Sequence, residues 1–215
     1  MSATVAVERL GAATADGDFQ ACARIHREEI SGGFLSSLGG EFLTLLYRTL
    51  AVSRHSFLFV ARREGQILGL ICGSDDTSAV YREFALRGGL RTLALLAPRL
   101  LSPRRIARAL ETVLYPSRQR GRDLPHAEIL NFCVSATSQG TGVGRALFGA
   151  LAEEFRSRGI GQIKIVTGVD QASAQAFYSR AGATLVGNVA VHHDSPELVY
   201  VYDVAPVVGR PNPAA

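Results

Sequence analysis

Lysine is almost missing from this chain of 215 residues: Lys164 is the only one, and arginine supplies the rest of the basic side chains. A phosphate loop of the Gly-Lys-Ser/Thr kind therefore has no lysine to use, which removes a P-loop triphosphatase from consideration. No run approaches the roughly 18 apolar residues of a membrane-spanning helix, and the N-terminus has no basic segment followed by a continuous apolar stretch. The expectation is a cytoplasmic protein. Cysteine is scarce and odd in number, with Cys72 and Cys133 inside apolar, strand-like runs where a cysteine is a small core residue. Neither a disulfide framework nor a thiolate metal site is indicated. No pair of histidines has a carboxylate or cysteine at ligand spacing, so no metal is expected. Disorder is excluded except at the ends, since 47% hydrophobic and 20% charged residues suffice for one substantial core.

What is present divides into regular segments. Residues 4–10 read as a strand, and 15–18 (Ala-Asp-Gly-Asp) supply capping residues for a helix running to about 30. Residues 32–40, around Phe34 and Leu35, read as a loop before a second helix over 40–52. Apolar runs at 56–62 and 66–72 flank Glu64-Gly65, a hairpin signal. An insertion, 74–126, follows, with helices expected at 80–97 and 104–114 separated by Pro98 and Pro103. It carries the charge asymmetry of the chain. Ten arginines against two glutamates between Arg82 and Arg122 give a local +8, whereas the whole chain is +4.

A strand over 127–135 then enters Gln139-Gly140-Thr141-Gly142-Val143-Gly144-Arg145, which opens an amphipathic helix over 142–158 with Val143, Leu147, Leu151 and Phe155 on one face. A further strand (163–169), a short helix capped by Asp170 and ending at Gly182, and strands at 183–191 and 198–204 complete the order. The last two strands flank a loop holding His192, His193 and Pro196. Residues 1–205 read as one domain and 206–215 as a disordered tail.

A strand, a glycine-rich turn and a helix start present free backbone N–H groups and the positive end of a helix dipole, which suits a phosphate. The spacing excludes a Rossmann fingerprint, because Arg145 or Leu147 stands where a third glycine is needed. The remaining pattern, Gln-x-x-Gly-x-Gly, resembles the coenzyme A pyrophosphate loop of the GNAT superfamily of N-acyltransferases. A second match is Asp170-Gln-Ala-Ser-Ala-Gln-Ala-Phe177-Tyr178-Ser-Arg-Ala-Gly182, similar to that family's Asn-x-x-Ala-x-x-Phe-Tyr-x-x-x-Gly-Phe helix, with Asp for Asn at the cap and Ala183 for the final aromatic. The order of elements also resembles the GNAT fold. The resemblance implies an α/β (α+β) protein with a mixed, mostly antiparallel sheet of about seven strands, flanking helices and a helical insertion between strands 3 and 4.

The resemblance further implies roles for residues. Gln139 to Arg145 would bind the pyrophosphate, with Phe132, Cys133, Val134, Asp170, Ala174 and Phe177 also on the coenzyme A side. The N–H of Val134 would engage pantetheine or the thioester carbonyl. Tyr178 stands where family members place a tyrosine near the thioester sulfur, so it is the expected general acid. Glu128, eleven residues before Gln139, resembles a glutamate base of the histone acetyltransferase branch; read from the residues alone it is equally a solvated carboxylate at a strand end. His26, Glu29, Phe34 and Leu35 are expected on the acceptor side, and Ser135 and Ser173 are secondary candidates.

The expected reaction is transfer of an acyl group, acetyl first, from acyl-CoA to a primary amine. Two alternatives stand beside it: a longer-chain acyltransferase using acyl-CoA or acyl carrier protein, and a non-catalytic acyl-CoA-sensing module. The leucine- and arginine-rich segment 82–122 is read as a solvated helix pair, a lid, or a surface for a membrane or acyl carrier protein. Nucleic acid is not expected, because little aromatic interleaving or base-reading motif accompanies the charge. A homodimer is compatible with the resemblance, and the amine itself is not named by any motif.

Overall fold

Among the described residues seven segments form the strands of one open sheet: β1 (Ala6–Leu10), β2 (Ser56–Arg63), β3 (Gln66–Ser74), β4 (Glu128–Val134), β5 (Gln162–Gly168), β6 (Thr184–His192) and β7 (Ser195–Asp203), with β2 and β3 continuous apolar runs buried on both faces. The computed structural model describes residues 4–84, 86, 124–192 and 195–204. The strand order is β1-β2-β3-β4-β5-β7-β6, antiparallel throughout except between β4 and β5. Glu64 and Gly65 join β2 to β3 with φ of 51° and 80°. Two left-handed residues match the twist of the strands they connect, so the expected hairpin is present.

The period of two sends neighbouring residues to opposite faces. Leu58, Val60, Leu70 and Cys72 meet α1 (Asp16–Glu29) and α3 (Gly40–Val52) through Phe19, Cys22, Ile25, Leu43, Tyr47 and Leu50. Phe57 and Ile71 face the other way, toward Val143, Leu147, Leu151 and Phe155 of α4 (Val143–Ser157). Those four residues are the stripe that the helical periodicity marks, and all are at most 1% exposed. Helix α4 lies so close to β3 that a Cβ on Gly73 would sit 2.8 Å from Leu151 Cδ1 and Phe155 Cζ. Glycine is the residue that lets the helix seat there.

Several local readings are corrected. The loop at 32–40 contains a short helix, α2 (Phe34–Ser37), and α1 has Ala15 at its N-cap with no side-chain cap bond. Asp170 does not cap α5 (Ala172–Ala181): the N-cap is Gln171, again without a side-chain cap bond. The strand end is tied elsewhere. Gln175 Nε2 donates to the carbonyls of Gly168 and Val169, and Thr167 Oγ1 donates to Gln171 Oε1, leaving Asp170 exposed in the turn. Strands β6 and β7 reach His192 and begin at Ser195, so His192 and Pro196 belong to strands. Helical structure in the insertion starts at 77 rather than 80. Both expected helices of the insertion beyond that start, and the tail 206–215, lie outside the described residues.

Candidate active site

Strands β4 and β5 meet at a single parallel bridge, Glu128 with Lys164, where the Lys164 N–H donates to the Ala127 carbonyl at 2.8 Å. Past that point β4 stays with β3 and β5 with β7, so the two strands part. A cleft of about 830 Å³ lies along the opening. The N–H of Ser135 donates to Leu68 O on the β3 side at 2.9 Å, and strand alternation turns the N–H and C=O of Val134 the opposite way, toward the cleft. The Val134 carbonyl accepts from Gln139 Nε2 at 3.0 Å.

The glycine loop forms one end of this cleft. After a 3-10 turn (Ala136–Ser138), Gly140 and Gly142 adopt φ of 75° and 90°, a region that a Cβ makes costly. Thr141 Oγ1 donates to Ser138 O at 2.7 Å and braces the turn. The first helical bond of α4 runs from Ala146 N–H to Gly142 O, which leaves the N–H groups of Val143, Gly144 and Arg145 without helical acceptors. These donors, the dipole of a 15-residue helix, and the Arg145 and Arg180 side chains on the same cleft suit a polyanion such as a pyrophosphate. A Cβ on Gly144 would lie 3.4 Å from Phe132 Cζ and 3.5 Å from Phe177 Cε2, so the helix start rests on that aromatic pair.

Tyr178, on α5, is 5% exposed and lies among Phe132, Phe148, Phe177 and Tyr200. The cleft reaches it. Burial, with a smaller contribution from Cys133, pushes its phenol well above the ordinary tyrosine value, so it stays protonated. The opposite wall comes from α1 and α2: His26, Ile30, Phe34 and Leu35. His26 Nδ1 sits 2.6 Å from the Tyr47 hydroxyl, and burial lowers the imidazole to about 4.

Glu128 is not a solvated carboxylate. It is 4% exposed; one oxygen accepts from the Thr77 hydroxyl and the other lies 3.0 Å from Lys164 Nζ. Tyr81, one helical turn beyond Thr77, faces the same carboxylate, and burial followed by the Glu128 charge raises its phenol. Glu29 also departs from its expected place. Its oxygens accept from the Ala136 N–H at 2.8 Å and from Gln139 Nε2 at 3.0 Å, so it fastens the end of α1 to the glycine loop rather than lining the acceptor wall.

Among the expected site residues the cleft brings together His26, Phe34, Leu35, Glu128, Phe132, Val134, Gln139, Gly140, Gly142, Gly144, Arg145, Ala174, Phe177 and Tyr178, along with the secondary candidate Ser173. Others stand apart. Cys133 points into the α1/α3 core, 3% exposed, with burial first and then Glu29 raising its thiol to about 12. Val143 is buried on the core face of α4, Thr141 serves the turn, and Asp170 is exposed near Gly168. Tyr81, Thr167, Gln171, Arg180 and Glu197 line the cleft without having been anticipated. Arg180 was within reach, two residues past Tyr178 in the matched helix; Tyr81 carries no motif. Among the described residues no group of His, Cys, Asp or Glu is arranged to hold a metal ion, and no helix is long and apolar enough to cross a membrane.

Known structures share this architecture. An N-acetyltransferase from Staphylococcus aureus Mu50 superposes with a TM-score of 0.60 at 12% identity, over 94% of this chain and 99% of that one. A ribosomal-protein-S18-alanine N-acetyltransferase from Escherichia coli gives 0.56 at 13% identity, over 96% of this chain and 97% of that one. No curated protein matches the chain. Residues 19–183 match the model of the Acetyltransferase (GNAT) family. That match runs from within α1 to just past α5, through both strands of the cleft and the glycine loop between them, and the chain therefore belongs to the GNAT family of acetyltransferases.

Proposed function

We propose that this enzyme, which as a GNAT acetyltransferase draws on acetyl-CoA, transfers the acetyl group directly to a primary amine within the β4/β5 cleft. The observation that carries the reading is that an anion-binding helix start and a buried tyrosine open on one cleft, formed where two parallel strands separate.

In this reading the pyrophosphate rests on the α4 start with Arg145, and pantetheine follows β4 into the gap, its acyl carbonyl accepting from the Val134 N–H. The amine nitrogen attacks the thioester carbon, forming the C–N bond. Collapse of the tetrahedral intermediate breaks the C–S bond, and Tyr178 gives its proton to the departing sulfur. Because the phenol is held protonated, the acid is in place before the donor arrives. The amine proton leaves by way of Glu128, whose carboxylate has lone pairs beyond those engaged by Thr77 and Lys164.

The test is release of free thiol from acetyl-CoA across a panel of amino acids, amino amides, polyamines, aminosugars and peptide N-termini. Acetyl transfer to at least one class supports the reading; donor binding without release on any of them would reject it in favour of an acyl-CoA sensor. Running octanoyl- and palmitoyl-CoA beside acetyl-CoA reads out the length of the acyl group.

A further inference from the structure

The acceptor wall of the cleft is apolar at Ile30, Phe34 and Leu35, and His26 interrupts it. Its imidazole has one nitrogen already engaged: Nδ1 lies 2.6 Å from the hydroxyl of Tyr47, which is 0% exposed. Which of the two donates follows from what each would leave behind. If the imidazole donated through Nδ1, the phenol O–H would be buried with no acceptor among the described residues, at a cost of roughly 1–3 kcal/mol. If the phenol donates to Nδ1, its buried O–H is satisfied, and the ring proton then stands on Nε2, on a side chain that lines the cleft. Burial supports this, since it holds the imidazole neutral down to about 4 and keeps the Tyr47 phenol protonated. Nε2 has no hydrogen-bond partner among the described residues.

The position of His26 is set by the helix it belongs to. Glu29, three residues on, shares the Gln139 amide with the Val134 carbonyl, each at 3.0 Å. Side chains three apart on a helix are neighbours, about 5–6 Å between their Cβ atoms. His26 and Val134, the strand position assigned above to the acyl carbonyl, line the same cleft. We propose that His26, through Nε2–H, recognises an oxygen acceptor on the carbon next to the acceptor's amine, which makes the acceptor class α-amino carbonyl compounds: amino acids, amino amides or peptide N-termini. A neutral N–H has no lone pair toward the cleft. His26 is thus a specificity group and not the base.

This inference rests on the acyl-transfer reading, and two measurements separate their failures. In long-range ¹H–¹⁵N spectra of the full chain with coenzyme A bound, His26 at pH 7 carries its proton on Nε2. Adding glycinamide or glycine shifts that resonance, whereas ethylamine, which lacks the carbonyl, does not. A proton on Nδ1, or equal shifts from all three probes, would overturn the proposal; glycine alone acting identifies a carboxylate, and glycinamide acting identifies a neutral carbonyl. In steady-state kinetics His26→Phe raises KM for the carbonyl-bearing acceptor about tenfold, leaving kcat, the KM for acetyl-CoA and the KM for ethylamine nearly unchanged. His26→Gln, which keeps a donor near the Nε2 position, recovers part of the loss. Equal losses for glycinamide and ethylamine would mean that His26 is only a packing residue. A selective Nε2 shift with no thiol release from any amine would instead keep His26 as a recognition group and defeat the transfer reading.

Discussion

Tyr178 and His26 are both aromatic, both nearly buried and both moved from their ordinary titration range, yet burial acts on them in opposite senses. A phenol is neutral when protonated, so burial holds its proton on. Imidazole is neutral when deprotonated, so burial strips the proton off. For Tyr178 the expected consequence is that Tyr178→Phe lowers kcat about a hundredfold while the acetyl-CoA affinity measured by calorimetry stays within twofold. Undiminished turnover with chemistry rate-limiting would remove Tyr178 as the acid. For His26 the consequence is in stability. Above the ordinary value of 6.5 neither the folded nor the unfolded chain is protonated there. Between 6.5 and about 4 only the unfolded chain binds the proton, so stability falls as pH drops through that window and levels off below it. From pH 7 to pH 5 the wild type should lose about 2 kcal/mol more than His26→Phe, read from urea unfolding at the two pH values. Equal losses would show that the imidazole is freely solvated.

At the level of elements, the site depends on how one strand pair is joined and one helix is begun. The Glu128–Lys164 pair is buried on both sides, with side chains 6% exposed, and it sits at the only bridge between β4 and β5. Lys164→Met leaves the carboxylate without its cation and should cost about 3–5 kcal/mol in chemical denaturation, much of it recovered in the Glu128→Gln/Lys164→Met double variant. Additive losses would show that the pair is uncoupled. Gly142, at φ 90°, tests the helix start: Gly142→Asp adds backbone strain and a negative charge where the pyrophosphate is assigned. The acetyl-CoA affinity should fall a hundredfold or more, about 3 kcal/mol. Unchanged affinity would reject the loop as the anion site. These elements are also where sequence was most readable. The α4 stripe, the Glu64-Gly65 hairpin and the Gly182 helix stop follow from periodicity and from glycine's freedom at positive φ. Helix α2, only four residues long, has no period to detect, and the turn before α5 is braced by Gln175 on the Gly168 and Val169 carbonyls and by Thr167 on Gln171, side-chain reach that no cap preference signals.

For the whole molecule, the unread part is what folding brings together from afar. That Glu128 touches Thr77, 51 residues away, and that Glu29 touches Ala136 and Gln139, 107 and 110 residues away, has no trace in local pattern. The donor end was legible because a loop and the helix it opens are contiguous in sequence. The other end was legible only in part: His26, Phe34 and Leu35 were expected there, whereas Tyr81 and Glu197 come from separate segments that carry no motif. Glu29 bears on how such an enzyme can change. In the proposed reading a new amine preference calls for remodelling of the α1–α2 wall, yet the last turn of α1 also holds the glycine loop through Glu29. Variation in the acceptor wall is therefore free only around this one carboxylate, and a transplanted α1–α2 segment will carry its specificity into the chain only if it brings a glutamate at the position of Glu29.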